Sequence, residues 1–370
     1  MPEIKYWVGF NIVQQIGPVR VRRLLSHFGD LATAWHASPV ELQSISLNRR
    51  AIENLLSTRS RIDLDAEMEK IERAGVQVLT VESPGYPPRL QHIKHPPHVL
   101  YVKGTILPQD EWAVAVVGTR RATTYGKEIT RRIAGNLARN GVTVVSGLAR
   151  GIDSHAHKAA LEVDGRTIAV LGCGIDIVYP SENARLARDI ADHGALVSEY
   201  CLGTKPEGKN FPPRNRIISG MSLGTLVTEA GLRSGALITA DYALEQGRET
   251  FAVPGSIFKP TCAGTNRLIQ QGEAKLVTNV GNILEELNLS TISQHVEVQE
   301  IIPSNSTESD LLRYINAEPI HIDELGRATG LPIPQVSSVL TMMELKGMVR
   351  QVGGMNYILA REAPVRYVID

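Results

Sequence analysis

Twice between Val114 and His157 a short apolar, β-branched run ends in a turn of small residues and passes into a helical stretch. The first run, residues 114–117, is followed by Gly118-Thr119-Arg120-Arg121. The second, residues 142–145, is followed by Ser146-Gly147-Leu148-Ala149-Arg150. Strand, turn, helix, strand, turn, helix is a βαβ unit, and its crossover makes the two strands parallel neighbours. That unit constrains the fold more than any other feature of the chain. Parallel strands that stop in Gly or Ser turns aim the first N–H groups of the next helices at one edge. Unpaired donors and the helix dipole favour an anion there. Arg120, Arg121 and Arg150 add fixed positive charge to the same edge.

The alternation continues on both sides. Strands are expected at 76–81, 99–102, 167–171, 195–197, 225–228 and 249–252, and helices at 126–140, 153–163, 183–193, 215–220 and 236–246. This pattern predicts a doubly wound, mainly parallel α/β sheet covered on both faces, with ligands beyond the strand C-termini. Residues 1–80 read as a small helical N-terminal domain, and 81–289 as the sheet domain. The polar stretch 290–307 reads as a linker. Residues 308–370 hold three helical segments and a Gly353-Gly354 hairpin, and read as a winged helix.

Among 370 residues, Lys+Arg and Asp+Glu are both 39, so any nucleic-acid surface must come from local clustering. Three cysteines, Cys173, Cys201 and Cys262, stand at spacings that fit neither a disulfide framework nor a metal site. No metal or cofactor is expected. The chain shows no signal peptide and no apolar run near the ~20 residues of a membrane span, so a cytoplasmic protein away from membranes is expected.

Several turns converge on the predicted edge. Gly172 and Gly174, around Cys173, allow close backbone approach to a ligand. Asp153 is expected to N-cap the helix after the second turn. Ser234-Gly235 opens another helix. The run Lys205–Gly220, K-P-E-G-K-N-F-P-P-R-N-R-I-I-S-G, brings Lys205, Lys209, Arg214 and Arg216 around Phe211, with Asn215 between the arginines. Cations for phosphates beside an aromatic face for a base are what single-stranded nucleic acid requires. Glu229, at a strand end, reads as a partner for Arg214, Arg216 or Arg233. Near the N-terminus, I-G-P-V-R-V-R-R is similar to a helix–hairpin–helix turn, with Arg20, Arg22 and Arg23 in position to grip phosphate. Residues 1–80 carry 10 basic and 9 acidic side chains, which favours a packing or protein-contact role.

V-G-T-R-R-A-T-x-Y-G, S-G-L-A-R-G-I-D-S-x-A-H, F-P-P-R-N-R-I-I-S-G, E-A-G-x-x-S-G-A-L-I-T-A and V-P-G-S-I, in this order, resemble the DNA-processing protein A family (DprA, also called Smf). The resemblance implies an extended Rossmann-like domain that dimerises. It implies a non-enzymatic binder that protects single-stranded DNA and helps load RecA recombinase during natural transformation and recombination. The expected DNA contacts are Gly118, Thr119, Arg120, Ser146, Gly147, Arg150, Gly172, Gly174, Lys209, Phe211, Arg214, Asn215, Arg216, Ser234 and Gly235. Thr119 stands where the family often has Ser, which keeps the hydroxyl.

Two alternatives stay open. Leu223-Gly224-Thr225 with Glu229 is also similar to the G-G-x-G-T-x-x-E run of nucleotide phosphoribohydrolases, where a carboxylate works against a ribose. The tail could contact duplex DNA. Its expected recognition helix, residues 334–346, carries one base, Lys346, which favours a protein-contact or weak duplex-contact module.

Overall fold

The computed structural model describes residues 4–45, 47–289, 306–315, 320–345, 349–352 and 354–359. The chain divides into two compact units, Met1–Val296 and Glu297–Asp370.

The first unit is built on a nine-stranded sheet. Its strands are β1 (Gln77–Thr80), β2 (Val99–Gly104), β3 (Ala113–Val117), β4 (Thr143–Ser146), β5 (Thr167–Val170), β6 (Ala195–Ser198), β7 (Gly224–Val227), β8 (Glu249–Ala252) and β9 (Lys275–Leu276). Their order is β1-β2-β6-β5-β4-β3-β7-β8-β9. The pairs from β6 through β9 are parallel, whereas β1–β2 and β2–β6 are antiparallel.

Strand β3 is buried along its whole length, and its side chains alternate between two cores. Val114 and Val116 pack with Ile133 and Leu137 of helix Thr124–Arg139 and with Ile152 and Ala156 of helix Ile152–Leu161. Ala113, Ala115 and Val117 pack with Ile217 of helix Phe211–Gly220 and Leu237 of helix Gly235–Glu245. An all-apolar strand is therefore what a sheet covered on both faces demands. The N-terminal helices, including Ile4–Ile12 and Pro18–Phe28, share a third core with Tyr101 of β2 and Leu171 beyond β5.

Two elements depart from the sequence reading. Helix 211–220 begins at Phe211, not Asn215, because Pro212 and Pro213 occupy its first turn. Proline fits there, since its fixed φ suits a helix and its missing N–H has no partner to lose. The two-residue edge strand β9 is too short to give a periodic signal.

From β3 the chain winds outward through β4, β5 and β6, then returns to place β7 on the other side of β3. The strand order thus reverses at the β3–β7 boundary. Loops leave in opposite directions there and open a crevice beyond the strand ends.

In the second unit, helices Ser306–Leu312, Ile322–Thr329 and Ile333–Leu345 pack with a small antiparallel sheet. Its strands are β10 (Ile320–His321), β11 (Val349–Gln351) and β12 (Asn356–Leu359). Leu311, Leu325, Val336, Leu340 and Met343 are fully buried between them. This is a winged helix. The 13-residue helix Ile333–Leu345 contains no Lys or Arg. The expected linker residues 290–305, Lys346 and Gly353 lie outside the described residues. Among the described residues no helix is long and apolar enough to cross a membrane.

Candidate single-strand site at the sheet rim

The half-buried ring of Phe211 is the centre of the site. Gly172, just past β5, lies against its face: a Cβ on Gly172 would come within 2.8 Å of Phe211 Cδ1. The Arg120 guanidinium stands 5.5 Å from the ring centre and that of Arg214 5.8 Å. The Tyr179 ring lies 5.6 Å away, tilted by 44°. Arg120 is exposed, and Tyr179 is 42% exposed. Two aromatic faces and a free-standing guanidinium therefore meet at the surface. Tyr179 is absent from the expected contacts. Its signal in sequence was a Tyr-Pro pair shortly after the Gly-Cys-Gly turn.

Beneath this surface lies a buried support. Arg214 is 3% exposed. Its Nη1 donates to the carbonyl of Gly147 at 3.0 Å and to that of Val170. Burial pulls its pKa down to about 10, against the attraction of Asp153, so it stays cationic at neutral pH. Asp153 is buried as well. Burial pushes its carboxyl up, and Arg214 and the amides of Ala149 and Gly147 oppose the rise. The two side chains meet at Gly147, where a Cβ would stand 2.7 Å from Arg214 Nη2 and 2.8 Å from Asp153 Oδ2.

Asp153 does not N-cap its helix; Gly151 holds that position. Asp153 instead turns back and accepts from the N–H groups of Gly147, at 3.2 Å, and Ala149, at 3.4 Å. The loop it clamps is strained, because Leu148 has φ +59°. Such a conformation persists only when its surroundings over-determine it. The Leu148 side chain is fully buried, and its carbonyl accepts from Asn183 Nδ2 at 2.9 Å. Gly151, at φ +76°, lets this loop touch the first one: a Cβ there would strike the Thr119 carbonyl at 2.3 Å.

The remaining expected contacts fall into three groups. Arg120 joins the half-buried Phe211 at the surface, with buried Gly172 packed against the ring. Arg150 and Lys209 are exposed on the same rim, but each already faces a carboxylate. Arg150 holds Glu182 by two bonds of 2.7 Å, and Lys209 reaches Glu207 at 2.7 Å. Solvent-exposed pairs of this kind contribute little. The third group is engaged within the fold: Ser146 and Gly174 are buried, Thr119, Ser234 and Asn215 half-buried, and Gly235 exposed. Ser146 is fully buried and donates to the Val116 carbonyl at 2.6 Å. The Gly174 N–H donates to the Thr204 carbonyl. The Thr119 N–H donates to the Glu229 carbonyl, and the Thr119 hydroxyl accepts from Arg121 N. Ser234 Oγ accepts from Ala236 N, and Asn215 Nδ2 donates to the Gly235 carbonyl.

Two expectations need correction. Arg214 is buried, and so braces the site from within. Arg216 lies on another side of its helix, in a bidentate pair with Glu199 at 2.7 Å and 2.7 Å. Both of its partner's oxygens are thereby engaged, and its Nε donates to the His95 carbonyl. The cause is helical phase: five residues separate Phe211 from Arg216, about 140° around the axis, whereas Arg214 at three residues shares the ring's face.

Glu229 pairs with no arginine. It is fully buried, and its carboxylate accepts from the Thr123 N–H at 2.9 Å and hydroxyl at 2.8 Å. A carboxylate held in this way fastens the start of helix 124–139 and faces no open space where a ribose could sit. Cys173 is equally internal: its thiol donates to the Ile177 carbonyl at 3.1 Å, and burial pushes its pKa up to about 11.

The sequence pattern of DNA recombination-mediator protein A matches residues 77–288, more than half of the chain. The chain belongs to that family. The DprA winged helix domain matches residues 297–355. Protein Smf of Synechocystis sp. is 36% identical, over 96% of this chain and 98% of its own. The crystal structure of DNA processing protein A (DprA) from Streptococcus pneumoniae superposes with a TM-score of 0.68 at 36% identity, covering 76% of this chain and 97% of that one. DNA processing protein A from Helicobacter pylori, whose structure was described for its single-stranded DNA binding mode, superposes with a TM-score of 0.52 at 32% identity. It covers 58% of this chain and 95% of that one.

Proposed function

We propose that this family member binds single-stranded DNA at the Arg120–Phe211–Tyr179 surface and delivers it to a RecA-class recombinase. The observation that carries the reading is the exposed Arg120 guanidinium set against the Phe211 ring, with Tyr179 alongside. An unpaired base can stack on such an aromatic platform, while the adjacent cation takes its phosphate. A duplex hides its base faces and gains only the electrostatic part. The likeness to the Helicobacter pylori protein supports the choice of strand, and the family's mediator role supports the hand-over. In this reading the protein is a cytoplasmic homodimer, joined through the sheet domain, that acts in DNA uptake and recombination without an enzymatic step. Gly118, Gly147, Gly172 and Gly174 shape the loops, Arg120, Arg150 and Lys209 meet phosphates, and Arg214 braces the platform.

The test is fluorescence anisotropy with single-stranded and duplex oligomers of one sequence, followed by recombinase filament formation on the bound strand. Preference for the single strand, abolished by Arg120→Ala, is expected. Equal affinity for the duplex, or an Arg120→Ala variant that binds normally, overturns the reading.

A further inference from the structure

Behind helix 211–220, on the side away from Phe211, lies a second basic feature that the platform does not use. A cleft of about 460 Å³ opens between the start of helix Pro18–Phe28 and the sheet unit. Gly17, Pro18, Val19, Arg20, Arg23, His95 and Arg216 line it. Three guanidinium groups and an imidazole face this space, and its lining holds no acidic side chain.

The charges differ in how firmly they are held. Arg216 is pinned by Glu199 and by the His95 carbonyl. Arg20 donates to the Gln15 carbonyl, which fixes its direction and leaves its charge unbalanced. Arg23 and His95 are exposed, and among the described residues Arg23 forms no ion pair. Arg22, its neighbour, is exposed and does not line the cleft. Val19, 46% exposed, gives the entrance an apolar wall. Pinned and free cations beside an apolar wall match a sugar–phosphate chain, which carries charge on one side and carbon on the other.

Phe211 and Arg216 are five residues apart on one helix, so the platform and the cleft are separated by about 8 Å along its axis.

We propose that the cleft is a second nucleic-acid site, taking the phosphodiester backbone of the strand whose base stacks on Phe211. The inference rests on the single-strand reading above and extends the footprint towards the N-terminal helices.

The test compares full-length wild type, Arg23→Glu and Arg22→Glu on oligothymidines of about six and about twenty nucleotides, lengths bracketing a single site. Arg23→Glu is expected to weaken the long oligomer several-fold and to lower its salt slope by about 0.7, one lost phosphate contact. It should leave the short oligomer unaffected. Arg22→Glu, the same charge change on the same helix, should do distinctly less. Equal effects of the two variants, or loss on both lengths alike, overturn the cleft. Inorganic pyrophosphate serves as a second probe. If Arg23→Glu abolishes its binding but leaves the long oligomer untouched, the cleft takes a free anion and the strand path is wrong. Failure of Arg120→Ala to weaken the short oligomer would instead overturn the platform itself, so the two failures are distinguishable.

Discussion

The Arg120 guanidinium lies 5.5 Å from the centre of the Phe211 ring, joining the first turn after β3 to a helix that covers the opposite face of the sheet. A cation over an aromatic face contributes about 0.5–1 kcal/mol at an exposed site, enough to bias both side chains towards one arrangement. Phe211→Ala should therefore cost a stacked base, about 1–3 kcal/mol of single-strand affinity, while Phe211→Tyr keeps most of it. Anisotropy titrations at fixed salt measure both.

Gly172→Ala tests the same platform through the support of its ring. Its Cβ would stand 2.8 Å from the Phe211 ring, so the ring must move. Single-strand affinity should fall several-fold while the thermal midpoint changes little. A large loss of stability with unchanged affinity would contradict the supporting role.

Arg214 and Arg120 should separate stability from binding. Arg214→Met leaves Asp153 buried without its nearby cation, and breaking such an arrangement destabilises a fold by about 3–5 kcal/mol. The strained Leu148 loop should loosen with it. Arg120→Ala removes an exposed side chain and should leave the denaturant midpoint unchanged. Urea unfolding of the two variants checks this contrast.

The pH dependence of stability should carry the mark of two buried histidines. Burial pulls His157 down to about 3 and His98 down to about 4. The Thr167 hydroxyl donates to the Val144 carbonyl and so must accept from His157 Nδ1–H, which fixes the neutral tautomer. Both groups bind a proton more readily when unfolded. Their contribution is therefore complete above the ordinary histidine pKa of about 6.5 and is lost as pH falls towards 4, at up to about 1.4 kcal/mol per unit for each group. His157→Gln should flatten that limb of a stability–pH curve.

The winged helix should be dispensable for the single strand. Residues 1–296 form a compact unit by themselves, and helix Ile333–Leu345 offers no Lys or Arg. Deleting residues 297–370 should leave oligothymidine affinity within about twofold, since the cationic contacts that set it all lie in the first unit.

How far the sequence could be read depended on the range of the interaction. Strand β3 and its neighbours were legible because burial on both faces writes a continuous apolar run. Phe211 stood out because cations flank it and Arg120 because it follows a strand in a small-residue turn, but only the fold brings the two together. Arg214 and Arg216 were not separable by composition; only the helix starting at Phe211, set by two prolines, turns one inward and the other away. Asp153 sits where an N-cap belongs, but the loop's need for a clamp draws it backwards. Tyr179 reaches the platform through a loop whose course no periodicity reports. Ion pairs such as Arg150–Glu182, 32 residues apart, leave no trace in spacing at all.

The most direct test is a salt titration of oligothymidine binding by wild type and by Arg120→Ala. The logarithm of wild-type affinity should fall linearly with the logarithm of salt concentration, with a slope near −0.7 for each phosphate held, and Arg120→Ala should be weaker and shallower by about one contact. An affinity indifferent to salt, or a variant line superimposed on the wild type, would contradict a strand gripped at this rim.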